Sequence, residues 1–382
     1  MKKTNRDNLK EVVQLFLWLG FTAFGGPAAH IALYHDQVVK KRKWLDEQHF
    51  LDLMGASHLI PGPNSTEMVI YLSYYRAGWA GLILGGISFI LPAMLMVIGL
   101  AWVYMRFGGL PQISGVLFAV KPVVIAIIAK ALWSLGKLAI KDKWTGLAAL
   151  AVFALSWAGA NNIALMLLAG LFIVLVKRIP ASLPKDGKTG ALLPFASPFA
   201  GMIAPQPFNL GMLFFSFLKI GSVLYGSGYV LLAFLQSDFV DRLGWMTSQQ
   251  IIDAVAVGQI TPGPLFTTAT FIGYFLGGVP GALLATAGIF IPSFLLVALT
   301  YRHIPRLRES KFLGALLDGV NAASLGLMAV VTLQLGREAL ADITSIGLAI
   351  TSFGLVAFTK INSTWIILGA AVIGLQRVIL FG

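Results

Sequence analysis

The chain has 382 residues, 57% of them hydrophobic and 12% charged, with a formal net charge of +12 and a mean hydropathy of +0.82. That balance excludes a soluble globular domain and points to a polytopic membrane protein. The absence of cysteine excludes disulfides, thiolate metal sites and cysteine nucleophiles. There is also no GxxxxGK[ST] phosphate loop, so energy for transport has to come from a gradient or a partner.

In chain order, the basic stretch Met1 to Lys10 precedes a long apolar run without a small-residue cleavage site, and reads as a retained N-terminus. About twelve apolar segments follow, near 11–34, 51–75, 78–104, 113–136, 144–159 and 161–176, then 208–236, 251–275, 277–300, 313–336, 343–359 and 363–380. Between the two sets lies a polar stretch with prolines and with Lys177, Arg178, Lys185 and Lys188. This divides the chain into an N-terminal transmembrane repeat (1–176), a cytoplasmic linker (177–207) and a C-terminal transmembrane repeat (208–382). Lys and Arg gather in short loops, which is a signal of membrane orientation and not of nucleic-acid binding.

The two sets are copies of one unit. At an offset of about 201, Trp44 falls on Trp245, Gln48 on Gln249, Asp52 on Asp253, and Pro61-Gly62-Pro63 on Pro262-Gly263-Pro264. Loop charge reverses between them. Lys40-Lys41-Arg42-Lys43 follows the first segment of one half, whereas Arg302, Arg306, Arg308 and Lys311 follow the third segment of the other. Equivalent loops are therefore expected on opposite faces of the membrane, with the basic N-terminal tail on the face opposite Lys40–Lys43. The expected fold is all-α: two homologous, inverted-topology repeats of about six hydrophobic segments each, with Pro-Gly-broken or re-entrant helices.

A helix cannot run through Pro-Gly-Pro, and matched breaks in two halves point to a transporter's binding site. Pro63-Asn64-Ser65-Thr66-Glu67 reads as a helix start, and Pro264-Leu265-Phe266-Thr267 keeps the hydroxyl while losing the acid. Helix starts with free N–H groups suit an anion. Phe24-Gly25-Gly26-Pro27 forms a second break, matched by Tyr225-Gly226-Ser227-Gly228, which serves helix packing or a ligand equally well.

Ionisable residues inside apolar segments are costly and are functional candidates. Lys121 stands beside Pro122, and the matching region of the second half holds Asp318 and Asn321, suggesting a cation for substrate and a carboxylate for a proton. Glu67 has no acidic twin and is the first choice for proton coupling. Asp52 and Asp253 open their segments and fit a capping role as well as a functional one. Lys219 fits a snorkelling lysine, and Arg76 an interfacial anchor beside Tyr74 and Tyr75. His30, His35, His49 and His58 do not share a helical face, so no metal or other cofactor is expected. His58, three residues before a break, is placed for substrate.

Phe24-Gly25-Gly26-Pro27, Trp44-Leu45, Pro61-Gly62-Pro63 and the duplicated halves resemble the chromate ion transporter family, in its long, two-domain form. The resemblance covers nearly the whole chain. It implies a bacterial inner-membrane, multi-pass protein that exports chromate on the proton motive force, with sulfate as a competitor and oppositely oriented halves. The glycines and prolines at 25–27, 61–63 and 262–264 are the motif positions carried over. The expected partners are chromate, sulfate, protons and lipid, with no nucleic acid; a homodimer is left open. The readings set beside this one are a sulfate or other anion permease, and an anion channel or membrane subunit. A membrane enzyme is disfavoured by the lack of cysteine and of a catalytic acid pair.

Overall fold

The structure, a computed structural model, describes residues 5–178, 207–225, 228–304, 310–359 and 361–381. Gly226 and Ser227 and most of the 177–207 stretch lie outside the described residues. Those described are helical throughout, and each half repeats one order of elements. The first half runs α1 (Asn5–Thr22), α2 (Gly26–His35) continued by a π-turn (Asp36–Lys41), α3 (Glu47–Ser57), α4 (Asn64–Phe107), α5 (Pro111–Ala139), α6 (Lys143–Trp157) and α7 (Asn162–Arg178). The second runs α8 (Leu210–Val223), α9 (Leu231–Leu235) continued by a π-turn (Gln236–Arg242), α10 (Ser248–Ile260), α11 (Thr268–Thr300), α12 (Lys311–Ala339), α13 (Ile343–Phe358) and α14 (Ser363–Phe381). Five stretches among these are long and apolar enough to cross a bilayer: Asn64–Phe107, Pro111–Ala139, Leu265–Thr300, Phe312–Ala339 and Ser363–Leu380. The chain is an all-α, multi-pass membrane protein.

Local chemistry sets the boundaries. Asp46 and Thr247 cap α3 and α10 through the backbone N–H groups of His49 and Gln250. Asp52 and Asp253, expected near those starts as caps, lie further along instead, on helical turns whose backbone is already paired. Asp142 and Asp342 form matching capping boxes at α6 and α13. The long helices α4 and α11 are each bent at one dipeptide. Ala77-Gly78 and Gly277-Gly278 leave helical geometry, with φ of 62° and 61° at Gly78 and Gly278. Only glycine accepts that φ without strain. The arms then fold back on each other, so that Thr270 Oγ1 lies 2.7 Å from Thr286 Oγ1, sixteen residues on. A Cβ on Gly81 or Gly281 would overlap the carbonyl of Ser73 or Gly273 across the same hairpins.

The first arm of α4, from Asn64 to Arg76, is about 20 Å long at 1.5 Å per residue, too short for the ~30 Å hydrocarbon core. With α3 it forms a re-entrant pair. The His49 ring, at the start of α3, lies 4.8 Å from that of Tyr75, at the end of the arm. Pro61-Gly62-Pro63 is the tip between them. α1 and α2 form a second such pair, which overturns one expectation. Glu11 of α1 accepts hydrogen bonds from Trp44 Nε1 (3.1 Å) and Arg76 Nη2 (2.7 Å), and lies 4.0 Å from Arg42. The N-terminal start of α1 therefore shares a face with the 40–43 basic run and does not oppose it. The break at Phe24–Gly25 turns the chain around before it can cross.

The halves are interleaved. α4 packs on α11, α6 and α7 pack on α12, and α13 and α14 pack on α5. A single hydrophobic cluster accordingly holds residues from both repeats, from Ile90 to Ala370. Contacts recur in reciprocal pairs. The far end of the α11 long arm meets the short arm of α4, with Thr300 Oγ1 2.6 Å from Tyr71 Oη and the Tyr301 ring 4.4 Å from that of Tyr74. The far end of the α4 long arm meets the short arm of α11, with the Tyr104 ring 5.2 Å from Phe271 and 6.2 Å from Phe275. Exposed Trp79, Trp102, Trp133, Leu150 and Leu295 belong to the outer surface, as expected where the solvent is lipid.

Candidate functional site

The two Pro-Gly-Pro tips meet at the centre, and each is held by the other half. Gly62 N–H donates to the Leu224 carbonyl at 2.8 Å, and Gly263 N–H donates to the Ala23 carbonyl at 2.9 Å. Both pairs obey the 201-residue offset, so this is one contact made twice. The glycines have φ of 135° and 92°, in the region that favours glycine. A Cβ on Gly62 would overlap the Glu67 carboxylate and the Ser293 hydroxyl; one on Gly263 would press on Ala93. Backbone freed by the breaks is thereby paired inside protein, as a membrane interior requires.

Beside the tips is a cavity of about 630 Å³ that takes residues from both halves. Gly26, Pro27 and His30 come from α2, His58 and Pro63 to Ser65 from the first tip, and Leu265 and Phe266 from the second. Ser134, Leu138 and Ala139 of α5 and Asn321 and Ser324 of α12 complete the polar and far walls. The starts of α2 and α4 carry no side-chain cap; Pro27 has no N–H, and at α4 the Thr66 and Glu67 N–H groups reach the Pro63 carbonyl, which leaves those of Asn64 and Ser65. The 3-10 turn Leu265–Thr267 that leads into α11 is likewise uncapped. Among the described residues, no Lys, Arg, Asp or Glu lines this wall. The donors are amides, hydroxyls, Asn64, Asn321 and the His58 imidazole.

The sequence-derived candidates separate into three groups. Gly26, Pro27, His58, Pro63, Asn64, Ser65 and Asn321 line the cavity. His58 Nδ1 accepts from Asn64 Nδ2 at 2.8 Å, which leaves its Nε2–H as the free donor. Gly25, Pro61, Gly62, Pro262, Gly263 and Pro264 shape the tips and breaks without lining it, and Thr66 and Thr267 are fully buried behind them. Thr267 Oγ1 is spent on the Pro264 carbonyl at 2.8 Å, whereas Thr66 Oγ1 has no partner.

The third group lies elsewhere. Lys121 was expected at the anion, yet its Nζ sits 3.1 Å from Asp253 Oδ1 and 2.8 Å from Gln249 Oε1, outside the cavity. Asp253 is a buried carboxylate, and so a stronger partner for the ammonium than a neutral cavity wall. Asp318 does not face the cavity either. Lys141 (2.6 Å) and Lys177 (2.8 Å) hold it at the end of the α5 and α7 helices. Lys219 reaches back to Asp238 at 2.5 Å. The four histidines of the first half are dispersed, with His35 on Glu47 (2.6 Å), His49 on Tyr75, His58 on Asn64 and His30 on the Ala23 carbonyl (3.0 Å).

Glu67 occupies the remaining central position. It is completely buried, Oε1 is 3.3 Å from Ser293 Oγ of the other half, and Oε2 has no partner. A Cβ on Gly62 would fall on its carboxylate, so it stands against the tip that bonds the Leu224 carbonyl. Sequence reasoning missed His30, Ser134 and Ser324. A lone histidine or serine on an apolar face carries no local signal. His30 bonds the carbonyl that also receives Gly263 N–H, so its Nε2 is the protonated nitrogen.

With this geometry in place, likeness to known proteins becomes informative. A family model described as chromate transporter matches residues 10–175 and again 211–375. The chain belongs to the chromate transporter family. A chromate transport protein of Cupriavidus metallidurans is 33% identical over 371 residues, covering 96% of this chain and 92% of that one. A probable chromate transport protein of Synechococcus elongatus is 32% identical over 340 residues, covering 88% and 86%. A chromate transport protein of Pseudomonas aeruginosa is 31% identical over 376 residues, covering 94% and 90%. No solved structure matches. A multi-pass protein of the inner membrane is what this family and these helices describe.

Proposed function

We propose that the protein is a secondary active transporter, and not an enzyme or channel, which exports chromate in exchange for protons. The observation that carries this reading is the cavity at the meeting point of the two tips, walled by uncapped helix starts and neutral donors. A tetrahedral dianion is matched by N–H and hydroxyl groups disposed around it, each charge-assisted bond contributing roughly 1.5–3 kcal/mol. Sulfate has the same shape and charge, and competes for the same donors. The chemistry of the wall selects the oxyanion class; membership of the family favours chromate within it.

The reciprocal end-to-arm contacts fit two halves related by a pseudo-two-fold axis, and the reversed loop charge supports a reading in which that axis lies in the membrane plane. Lys40 to Lys43, Lys141, Lys143 and Lys177 crowd one face, which the positive-inside rule makes cytoplasmic. The cavity extends along α5 toward Ala139, two residues from Lys141, and so faces the cytoplasm. Glu67 is the proton carrier: a fully buried carboxylate with one oxygen unpartnered gains by taking a proton. Because it backs on Gly62, its charge bears on the contact between the halves. Asp318, fixed between two lysines, is a structural residue and not a second carrier.

Chromate uptake into everted membrane vesicles tests the reading. Saturable uptake that a protonophore abolishes and sulfate inhibits supports it. Correctly inserted protein with no chromate flux would remove the chromate assignment and turn attention to sulfate.

A further inference from the structure

The repeat makes a second pathway visible by comparison. Several residues of the cavity wall have counterparts in the other half that are packed shut. Ala131, Leu135 and Leu325 line the cavity and are partly exposed. Their equivalents at an offset of 200, Val331, Leu335 and Ile125, are 1%, 0% and 5% exposed. Partly exposed Met54 corresponds in the same way to Val255, at 2%. One ionic cluster sits over this closed copy. Asn321, which lines the open cavity, corresponds to Lys121. Half-buried Asp52, bonded by its own neighbour Gln48, corresponds to Asp253.

In the closed copy Lys121 of α5 bridges to Asp253 and Gln249 of α10, two helices from different halves. Tyr104 Oη donates to Asp253 Oδ2 at 2.9 Å from α4, and Gln249 Nε2 donates to the Glu338 carbonyl of α12 at 2.7 Å. Four helices are thereby tied across one opening. In the open copy, the corresponding position on α12 holds Asn321 against the cavity.

We infer that the Lys121–Asp253 pair is the bolt of a second, closed pathway on the opposite face, and that breaking it exposes the mirror image of the observed cavity. Alternation between the two copies then needs no new architecture, only exchange of the packed and unpacked arrangements. When the pair opens, the Lys121 ammonium stands where Asn321 stands now and presents a cation to the departing anion. The inference rests on the secondary-transport reading above. Its test measures accessibility and not flux, so the two can fail separately.

The absence of cysteine makes the measurement direct, because a single introduced thiol reports alone. Leu135→Cys and Leu335→Cys place thiols in the open and closed copies, and a membrane-impermeant maleimide is applied to spheroplasts and to everted vesicles. The thiol at 135 should react from the basic face only, and that at 335 from neither. Adding Lys121→Gln or Asp253→Asn should raise labelling at 335 at least fivefold from the face opposite the basic one, and lower it at 135. The charge-swapped Lys121→Asp/Asp253→Lys pair should restore protection. Labelling at 335 that stays at its original level in both single variants would overturn the inference. So would a swapped pair as reactive as the singles, or variants in which both thiols react from both faces.

Discussion

At the scale of single residues, two positions decide most. Glu67 is held by one bond to Ser293, and a Glu67→Gln substitution keeps the shape and that partner while removing the titration. The expected result is a protein that still exchanges chromate down its gradient but whose flux no longer responds to an imposed pH difference. Unchanged pH dependence in vesicles carrying Glu67→Gln would place the coupling elsewhere. Gly62 tests the tip. Alanine at φ 135° is strained by roughly 1–3 kcal/mol, and its methyl would collide with Glu67 and Ser293. Gly62→Ala should lower the unfolding temperature in detergent and abolish transport. Gly99→Ala, on a helix with open space around it, should do neither.

Some of this was legible in the chain. Proline and glycine act through their own backbones, so the breaks at 25–27, 61–63 and 262–264 could be read where they stand. Lys121 could not. Its partner is 132 residues away on α10, and an isolated lysine in an apolar helix announces a cost without naming who offsets it. His30 was silent for a related reason, since its bond to the Ala23 carbonyl depends on α1 ending where it does.

At the scale of elements, the construction unit is the helical hairpin that turns back within the membrane. α1 with α2, and α3 with the short arm of α4, fold back on themselves; the long arm of α4 and α5 are long and apolar enough to run the full thickness. The close approach of the two arms of α4 depends on small residues, since a side chain at Gly81 would meet the Ser73 carbonyl. Gly81→Leu should therefore eliminate the monodisperse peak on size-exclusion chromatography in detergent. Gly109→Leu, in open space at a helix end, should leave it intact. Hydrophobic runs at 51–75 and 78–104 already suggested a break near 77. The return of α1 was harder to see, because an 18-residue helix followed by ten more apolar residues has the composition of one crossing. The Glu11 contacts with Arg76 and Trp44, and the Phe16 ring 6.2 Å from that of Tyr34, reveal that the run is folded double.

At the scale of the whole molecule, the two repeats behave as one body. Each tip is completed by the other half, each half lends a helix pair to the other's long helix, and the hydrophobic cluster runs through both. The duplication could be read in six identities within the twenty positions 44–63, but their interleaving could not, because it lies in contacts separated by about 200 residues. On the proposed transport reading, a cavity shared by two interlocked halves opens to one face as it closes to the other. Expressed separately, residues 1–176 and 208–382 should each fail to transport, and co-expression should restore chromate uptake in part.

The central claim is that protons drive a dianion through this shared cavity. It is tested most directly with purified protein in liposomes, by imposing an acidic interior and following chromate. Accumulation above the external concentration, lost when the gradient is collapsed and absent from protein-free liposomes, is the predicted result. Chromate that enters only to equilibrium, at a rate indifferent to the gradient, would contradict the account.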